Sequence, residues 1–240
     1  MNILAIDSSA VTAGCAVLSD GRLLSSGFVN IGLTHSQTLL PLIDRTLASA
    51  GLKPGDVDCV AVSAGPGSFT GVRIGVAAAK GMAFKSNIPC AAVSTLEAIA
   101  YGAAGLEGIC CAVMDARREQ VYNGLFHLDY PDTVTRLTDD RALAIADLCS
   151  ELEGTEGTIW LCGDGAELCM KHMSECSALA ERVRLAPEPL RRQNGLGVAR
   201  AAAKLAESGA LTDSAELVPI YLRLPQAERE LNSRQAGLKK

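Results

Sequence analysis

Residues 63–75 read Ser-Ala-Gly-Pro-Gly-Ser-Phe-Thr-Gly-Val-Arg-Ile-Gly and join a predicted buried strand at 57–63 to a small-residue helix predicted at about 72–85. Free amides at the start of a helix favour an anion, and glycines let its oxygens approach the backbone. No Lys-Ser or Lys-Thr pair follows the glycines, so the segment is not a P-loop. A tight strand-to-helix turn explains it equally well. The anion-loop candidates are Gly65, Gly67, Ser68, Thr70 and Gly71.

The elements around this loop predict a first lobe with the order βββαβαβα. Three strands are expected at 3–6, 14–18 and 23–29, with Asp20-Gly21 as a hairpin turn. A helix follows Thr34 as its N-cap, and Pro41 predicts a kink or a late start. A strand at 89–93 then ends in Ser94-Thr95-Leu96-Glu97, a capping box that opens a helix to about residue 103.

A similar order begins again near Gly108. Strands are predicted at 109–114, 120–128, 134–137 and 158–162, and helices at 142–152, 167–174 and 197–207. Two copies of a strand meander with crossover helices predict an α/β protein with two similar βββαβα-type lobes and a cleft between them. The expected divisions are a first lobe at 1–105, a second lobe at 106–225 and a polar, mobile tail at 226–240.

Composition and charge restrict the class of protein. Of the 240 residues, 48% are hydrophobic and 20% charged, close to globular averages. No segment approaches the roughly 20 apolar residues of a membrane span, and the start lacks the pattern of a signal peptide, so a cytoplasmic protein is expected. The net charge of −5 does not indicate a basic surface of the kind that binds a phosphate backbone. Any RNA contact is therefore expected to depend on another chain.

The cysteines predict reduced, buried thiols rather than disulfides or a metal site. Their number, nine, is odd, and most lie inside apolar runs. Cys162, Cys169 and Cys176 recur every seven residues, but structural zinc normally requires pairs two to four residues apart. Neither a metal nor a cofactor is expected.

Polar residues at strand ends are candidate remnants of a nucleotide cleft. These are Asp7 and Ser8 after the first strand, Asp115 after its counterpart in the second lobe, and Gly163 and Gly165 after residues 158–162. A carboxylate at the first position holds a metal in nucleotide-splitting α/β proteins, whereas Asp in a turn often satisfies only local amides. The second hairpin, with Arg117-Arg118, has no glycine; its arginines are typical of a solvated turn, although they could contact acids or RNA.

Apolar stripes on two first-lobe helices are expected to form core. The hypothesis of a protein partner adds a second apolar face on these helices, suited to packing against another helix. The partner-interface candidates are Leu39, Leu40, Ile43, Leu47, Val72, Val76 and Ala79.

Several runs spread over nearly the whole chain resemble the bacterial TsaB (YeaZ) family. They are residues 63–75, Ile6-Asp7-Ser8-Ser9, His35-Ser36 with Leu39-Leu40-Pro41, residues 115–122, and residues 219–223 with 225–229. The resemblance implies an actin-like, sugar-kinase and Hsp70-type (ribonuclease H-like) fold. It also implies a non-catalytic partner of a related TsaD protein in threonylcarbamoyladenosine formation in tRNA. The implied partners are a TsaD-like subunit, a TsaE-like ATPase, tRNA only through the complex, and a second copy of the chain.

The same resemblance supplies a comparison with an enzyme. The catalytic relative resembles a metal enzyme with two His four residues apart, and the matching positions here are Thr95 and Ile99. Isoleucine cannot bind a metal, so no catalytic residue is assigned. Of His35, His127 and His172, only His35, beside a helix start, stays a candidate. The rival hypothesis is a stand-alone ATP-dependent phosphoryl or carbamoyl transferase that uses Asp7 and the loop at 63–75.

Overall fold

The first half of the chain forms a five-stranded sheet with its helices. The computed structural model describes residues 1–32 and 34–223, and the predicted tail at 226–240 lies outside them. A 3-10 turn at Pro54–Asp56 precedes the fourth strand. The elements are β1 (Asn2–Asp7), β2 (Ala13–Ser19), β3 (Arg22–Val29), α1 (His35–Ser49), β4 (Cys59–Gly65), α2 (Phe69–Phe84), β5 (Cys90–Ser94) and α3 (Thr95–Gly102).

The second half repeats this order with one additional strand and two additional short helices. Its elements are β6 (Gly108–Asp115), β7 (Gln120–Asp129), β8 (Thr133–Arg136), β9 (Arg141–Ala144), α4 (Ile145–Glu153), β10 (Ile159–Cys162), α5 (Ala166–Met173), α6 (Ser177–Ala180), β11 (Val183–Leu185), α7 (Glu188–Arg191) and α8 (Gly195–Glu207).

The two sheets have the same topology. The first has the order β3-β2-β1-β4-β5, with β1, β2 and β3 antiparallel and β4 and β5 parallel to β1. The second, read from β8, has the order β8-β7-β6-β10-β11 with the same directions. The prediction of two similar lobes is therefore confirmed. Asp7 ends β1 and Asp115 ends β6, so the two carboxylates occupy equivalent positions.

Three local predictions needed correction. The helix predicted at 142–152 begins at Ile145, because residues 141–144 form β9 and pair with β7. Sheet pairing overrides the helix propensity of Arg-Ala-Leu-Ala. The cap of α3 is half of the predicted box: Ser94 Oγ accepts from the Glu97 amide at 3.2 Å, whereas the Glu97 carboxylate pairs with Arg136. Helix α1 starts at His35 and continues past Pro41, so the late start is wrong.

Four apolar clusters fill the spaces between five layers. Helices α1 and α2 cover one face of the first sheet, and α4, α5 and α6 cover the outer face of the second. Between the sheets lie α3 and α8. Helix α3 follows the first sheet in sequence but places Leu96 and Ile99 against the second, whereas α8 follows the second sheet and places Val198 and Ala202 against the first. Each lobe thus contributes a helix to the core of the other, which joins them.

The chain after α8 also lies on the first sheet. Thr212 forms a bridge with Cys90 of β5, Leu217 is buried in the α1–α2 cluster, and the Ile220 amide donates to the Ala64 carbonyl at 2.7 Å. These residues fall within the range 106–225 expected for the second lobe. The lobe boundaries remain predictions, while the packing assigns α8 and the following segment to the core of the first sheet.

The cysteines are free thiols. Seven of the nine are buried, and Cys149 and Cys176 are half-buried. Burial raises the pKa of Cys15, Cys59 and Cys169 to about 12, which keeps these thiols protonated. Among helices in the described part of the chain, none has the length and apolar character to cross a membrane.

Glycines allow α8 to dock. A Cβ added at Gly195 would lie 2.4 Å from the backbone carbon of Cys15 in β2, and one added at Gly197 would lie 2.0 Å from the Ala98 carbonyl oxygen in α3. Asn194 caps the helix by accepting from the Gly197 amide at 3.0 Å. The start of α8 can therefore contact β2 and α3 closely only without side chains at these positions.

We expect Gly197→Ala to destabilise the protein by about 1–3 kcal/mol, because backbone atoms of α3 must move to admit the methyl group. The matched control is Gly81→Ala in the exposed face of α2, where an added Cβ meets nothing within 4 Å. There, better helix propensity should stabilise by roughly 0.5–1 kcal/mol. Urea unfolding measures the change in the free energy of unfolding for each variant. Equal changes in the two variants would contradict the docking role of Gly197.

Candidate functional site

The Asp7 carboxylate is enclosed at the end of β1. It accepts hydrogen bonds from the Ser9 amide at 3.0 Å, from Ser9 Oγ at 2.9 Å and from Ser63 Oγ, and the residue is fully buried. Burial raises the pKa of Asp7, and the bonds from Ser63 and Ser9 oppose this only in part. Asp7 thus accepts from the Ser9 donors of its own turn, as the turn hypothesis predicts, and it also connects β1 to Ser63 of β4.

The glycine-rich loop after β4 packs on the turn of the β1–β2 hairpin, which follows Asp7. An added Cβ would lie 2.4 Å from the Ser9 carbonyl oxygen at Gly67 and 2.1 Å from the Ser8 carbonyl oxygen at Gly71. Ser8 Oγ donates to the Gly71 carbonyl at 2.9 Å, and the Ser68 amide donates to the Ser9 carbonyl at 2.7 Å. The glycines are therefore explained by close backbone packing. Ser68 is the N-cap of α2, and its Oγ accepts from the Gly71 amide at 3.3 Å.

His35 connects this loop region to α1. Its Nε2 bonds to the Ala10 carbonyl oxygen at 2.7 Å, and its Cδ2 lies near Gly71. Because a carbonyl only accepts, the ring proton is on Nε2. His35 thereby fixes the first hairpin to the start of α1.

The hairpin after Asp115 has an unusual backbone. Arg117, Arg118 and Glu119 have φ values of 67°, 55° and 55°, a region that L-residues adopt at a cost. Asp115 supports the turn by accepting from the Arg117 amide at 2.7 Å and lies 3.4 Å from the Arg117 guanidinium. The Arg117 side chain is nevertheless 87% exposed. The hairpin therefore exposes both arginines.

A polar cluster beside Asp115 was not predicted. Gln193 Nε2 donates to Asp164 Oδ1 at 2.8 Å, and the Thr12 hydroxyl donates to the Gln193 carbonyl at 3.2 Å. Burial raises the pKa of Asp164, and the neighbouring Asp115 carboxylate acts in the same direction. Asp164 lies between the predicted Gly163 and Gly165, a position that could have indicated it. Gln193 had no such signal, because the docking of α8 brings it to the cleft.

These elements enclose a cleft of 540 Å³ between the lobes. Of the predicted site residues it contains Gly67, Ser68 and Asp115. The others do not line it: Asp7, Ser8, Gly65, Thr70, Gly71, Gly163 and Gly165. The first-lobe wall is formed by the hairpin at 9–12 and Phe69, and the second-lobe wall by Asp115, Arg117, Tyr122, Asp164 and Gln193.

The positions that match the metal-binding histidines of the catalytic relative are closed. Thr95 and Ile99 are 0% and 2% exposed, and Ile99 packs near Gly163 in the core between α3 and the second sheet. Within residues 1–32 and 34–223, no group of three His, Cys, Asp or Glu side chains is arranged to hold a metal ion.

Burial corrects most of the predicted partner interface. Six of its seven residues are at most 4% exposed and belong to the core between the first sheet and its helices, so they have no surface for a partner. Only Leu40 is exposed, at 56%. The six core residues are Leu39, Ile43, Leu47, Val72, Val76 and Ala79.

Two ribonuclease H-like sheets with equivalent terminal aspartates define an actin-like protein, here with its first aspartate enclosed. A family model described as "TsaD: tRNA N6-adenosine threonylcarbamoyltransferase" matches residues 32–228. The TsaB tRNA threonylcarbamoyladenosine biosynthesis protein of Bacillus subtilis is 31% identical, covering 95% of this chain and 96% of that protein. The Escherichia coli protein of the same name is 35% identical, covering 57% and 63%.

A structural comparison agrees with these sequence matches. YeaZ from Pseudomonas aeruginosa has a TM-score of 0.70 and 26% identity, covering 92% of this chain and 99% of that one. The chain therefore belongs to the TsaB (YeaZ) branch of the family that the TsaD model describes.

We expect Asp7→Asn to reduce the pH dependence of stability. Burial raises the pKa of Asp7 in the folded protein above its ordinary value of 3.8. The contribution of Asp7 to folding stability is therefore most favourable below pH 3.8, and it declines as the pH rises through the folded-state pKa. An amide cannot ionise, so thermal melts from pH 4 to pH 8 should favour the variant increasingly at high pH. Exposed Asp44→Asn is the control. A variant that is uniformly less stable would show that the carboxylate is required.

Proposed function

We propose that the chain is a non-catalytic subunit of the bacterial complex that forms threonylcarbamoyladenosine in tRNA, where it binds and supports a TsaD-like transferase. The observation that carries this proposal is the 31% identity with a TsaB protein over nearly the full length of both chains. Work in the cytoplasm follows from a tRNA substrate.

The geometry of the cleft supports an accessory role over a stand-alone transferase. Triphosphate transfer in this fold requires a carboxylate open to a metal and bare amides open to phosphate. Asp7 is enclosed by hydroxyls and an amide, and the glycines of the loop face Ser8 and Ser9. The rival hypothesis of independent ATP turnover therefore has little support.

The outer face of α1 and α2 is the proposed partner surface. Leu40 of α1 and Phe84 of α2 are 56% and 77% exposed. On α2, Ala77 and Gly81 are also exposed, and they share a face with Phe84 at positions four and seven residues apart. Small residues beside a large apolar one permit a helix to pack closely. We propose that a TsaD-like helix binds here, and that a second copy binds the same surface when the chain is alone.

The further partners follow from this assembly. A TsaE-like ATPase would join the pair, and tRNA would bind through the complex. The purified chain alone is expected to show no substantial ATP hydrolysis. Modification of tRNA is expected only when the TsaD-like and TsaE-like partners are added. Substantial turnover by the chain alone would favour the rival transferase.

We expect Gly81→Arg to abolish pairing with the TsaD-like subunit without unfolding the chain. A Cβ added at the exposed residue 81 meets nothing within 4 Å, and arginine is a better helix former than glycine. A partner helix, in contrast, would meet a long charged side chain. Calorimetric titration with the TsaD-like subunit measures pairing, and circular dichroism measures folding.

Ser150→Arg is the matched control, because residue 150 is exposed on α4 of the second lobe. This variant should pair as the wild type does. If the Gly81→Arg variant binds the TsaD-like subunit with wild-type affinity, the interface lies elsewhere on the molecule. Failure of the wild-type chain to bind any TsaD-like subunit would contradict the proposed function itself.

A further inference from the structure

Arginines and aromatic rings form one lip of the cleft. In the first lobe, the Arg73 guanidinium carbon lies 3.8 Å from the centroid of the Phe69 ring, and Arg73 Nε donates to the Tyr221 hydroxyl at 2.8 Å. The Phe69 and Tyr221 rings lie 5.3 Å apart, and both are exposed. Cation–π contacts fix the guanidinium without neutralising its charge.

The segment that carries Tyr221 continues across the cleft. Ile220 is bonded to the end of β4 in the first lobe, and three residues later the Arg223 guanidinium carbon lies 5.8 Å from the Tyr122 ring centroid in the second lobe. Tyr221, Arg223 and Tyr122 all line the cleft. The described end of the chain therefore adds a second arginine–aromatic pair at the opposite lip.

The strained hairpin completes this rim. It projects the exposed Arg117 and Arg118, and only Arg117 has a carboxylate neighbour among the described residues. The cationic rim is thus defined by four arginines in a chain whose net charge is −5. Arg117 and Arg223 line the opening, Arg73 is held against Phe69 and Tyr221 of the lining, and the exposed Arg118 follows Arg117 in the hairpin.

Besides the rim arginines, the cleft lining contains two carboxylates and Arg192, whose guanidinium lies 3.4 Å from the Glu167 carboxylate. The two carboxylates are those of Asp115 and Asp164, and Gln193 is 2% exposed with a buried Oε1 that has no hydrogen-bond partner among the described residues. Carboxylates and an amide oxygen repel phosphate and accept N–H donors. A free nucleotide in the cleft would place its phosphates near these acceptors. A polyanion that crosses the opening would keep its phosphates at the rim and could present base amino groups to the same acceptors.

We propose that the cationic rim binds a single-stranded stretch of the tRNA, with phosphates on the arginines and an unstacked base against Phe69 or Tyr221. This inference rests on the proposed function and names the surface by which the subunit contacts the RNA. Exposed aromatics beside arginines are the usual platform for single strands, since every base has a face for stacking. The overall negative charge explains why this contact operates within the complex.

The test uses the complex reconstituted with its TsaD-like and TsaE-like partners. Arg117→Gln/Arg118→Gln and Arg73→Gln are compared with Arg22→Gln, an exposed arginine at the β2–β3 turn, at the opposite end of the first sheet. Fluorescence anisotropy with labelled tRNA gives the affinity between 50 and 300 mM salt, on the order of the range where counterion release is measurable. Gel filtration first verifies that each variant complex assembles.

The double variant should bind tRNA about three- to tenfold more weakly, and the slope of log affinity against log salt should decrease by about 1.4, the value for two single-strand phosphate contacts. Arg73→Gln should decrease it by about 0.7, and Arg22→Gln should leave it unchanged. Assembled variants with wild-type affinity and slope would overturn the rim proposal and leave the proposed function intact. Weaker ATP binding by the variant chain, with unchanged tRNA affinity, would also overturn it by assigning the rim to a free nucleotide.

Discussion

The start of α8 against β2 and α3 is the contact on which the arrangement of the lobes depends. With glycine at 195 and 197, the helix approaches two backbones at once, and it thereby fills the inner face of the first sheet. Helix α3 fills the corresponding face of the second sheet. Because each helix follows one sheet in sequence and packs on the other, separating the lobes would expose both cores. A wide hinge motion of the lobes is therefore opposed by apolar burial.

The same docking determines the chemistry of the cleft. The residues just before α8 are drawn between the lobes, so Gln193 bonds to Asp164 and Thr12 bonds to the Gln193 backbone. On the other side, Ser9 and Ser63 enclose Asp7. The carboxylates of Asp7 and Asp164 are thus both used in hydrogen bonds within the protein.

The sequence predicted most of the elements because their patterns are local. Asp20-Gly21 marked the β2–β3 hairpin, Ser94 marked the start of α3, and the repeated order of strands predicted two lobes of one topology. The misassigned residues 141–144 and the exchange of α3 and α8 depend on pairing between distant segments. For the same reason Gln193, Tyr221 and Arg223 could not be placed at the cleft. The apolar stripe of α1 was predicted as core and as interface, and burial assigns it to the core apart from Leu40.

The glycine-rich loop shows how a motif can be correct in position and different in use. Glycine permits close approach of any oxygen, and a phosphate oxygen and a carbonyl oxygen impose the same steric demand. In this chain the oxygens nearest Gly67 and Gly71 are the carbonyls of Ser9 and Ser8. The loop is therefore held against the β1–β2 hairpin. The exposed residues at its edge include Phe69 and, one turn along α2, Arg73. In the proposed RNA contact, charge and stacking at the rim therefore take the place of the backbone amides that such a loop would otherwise offer to phosphate.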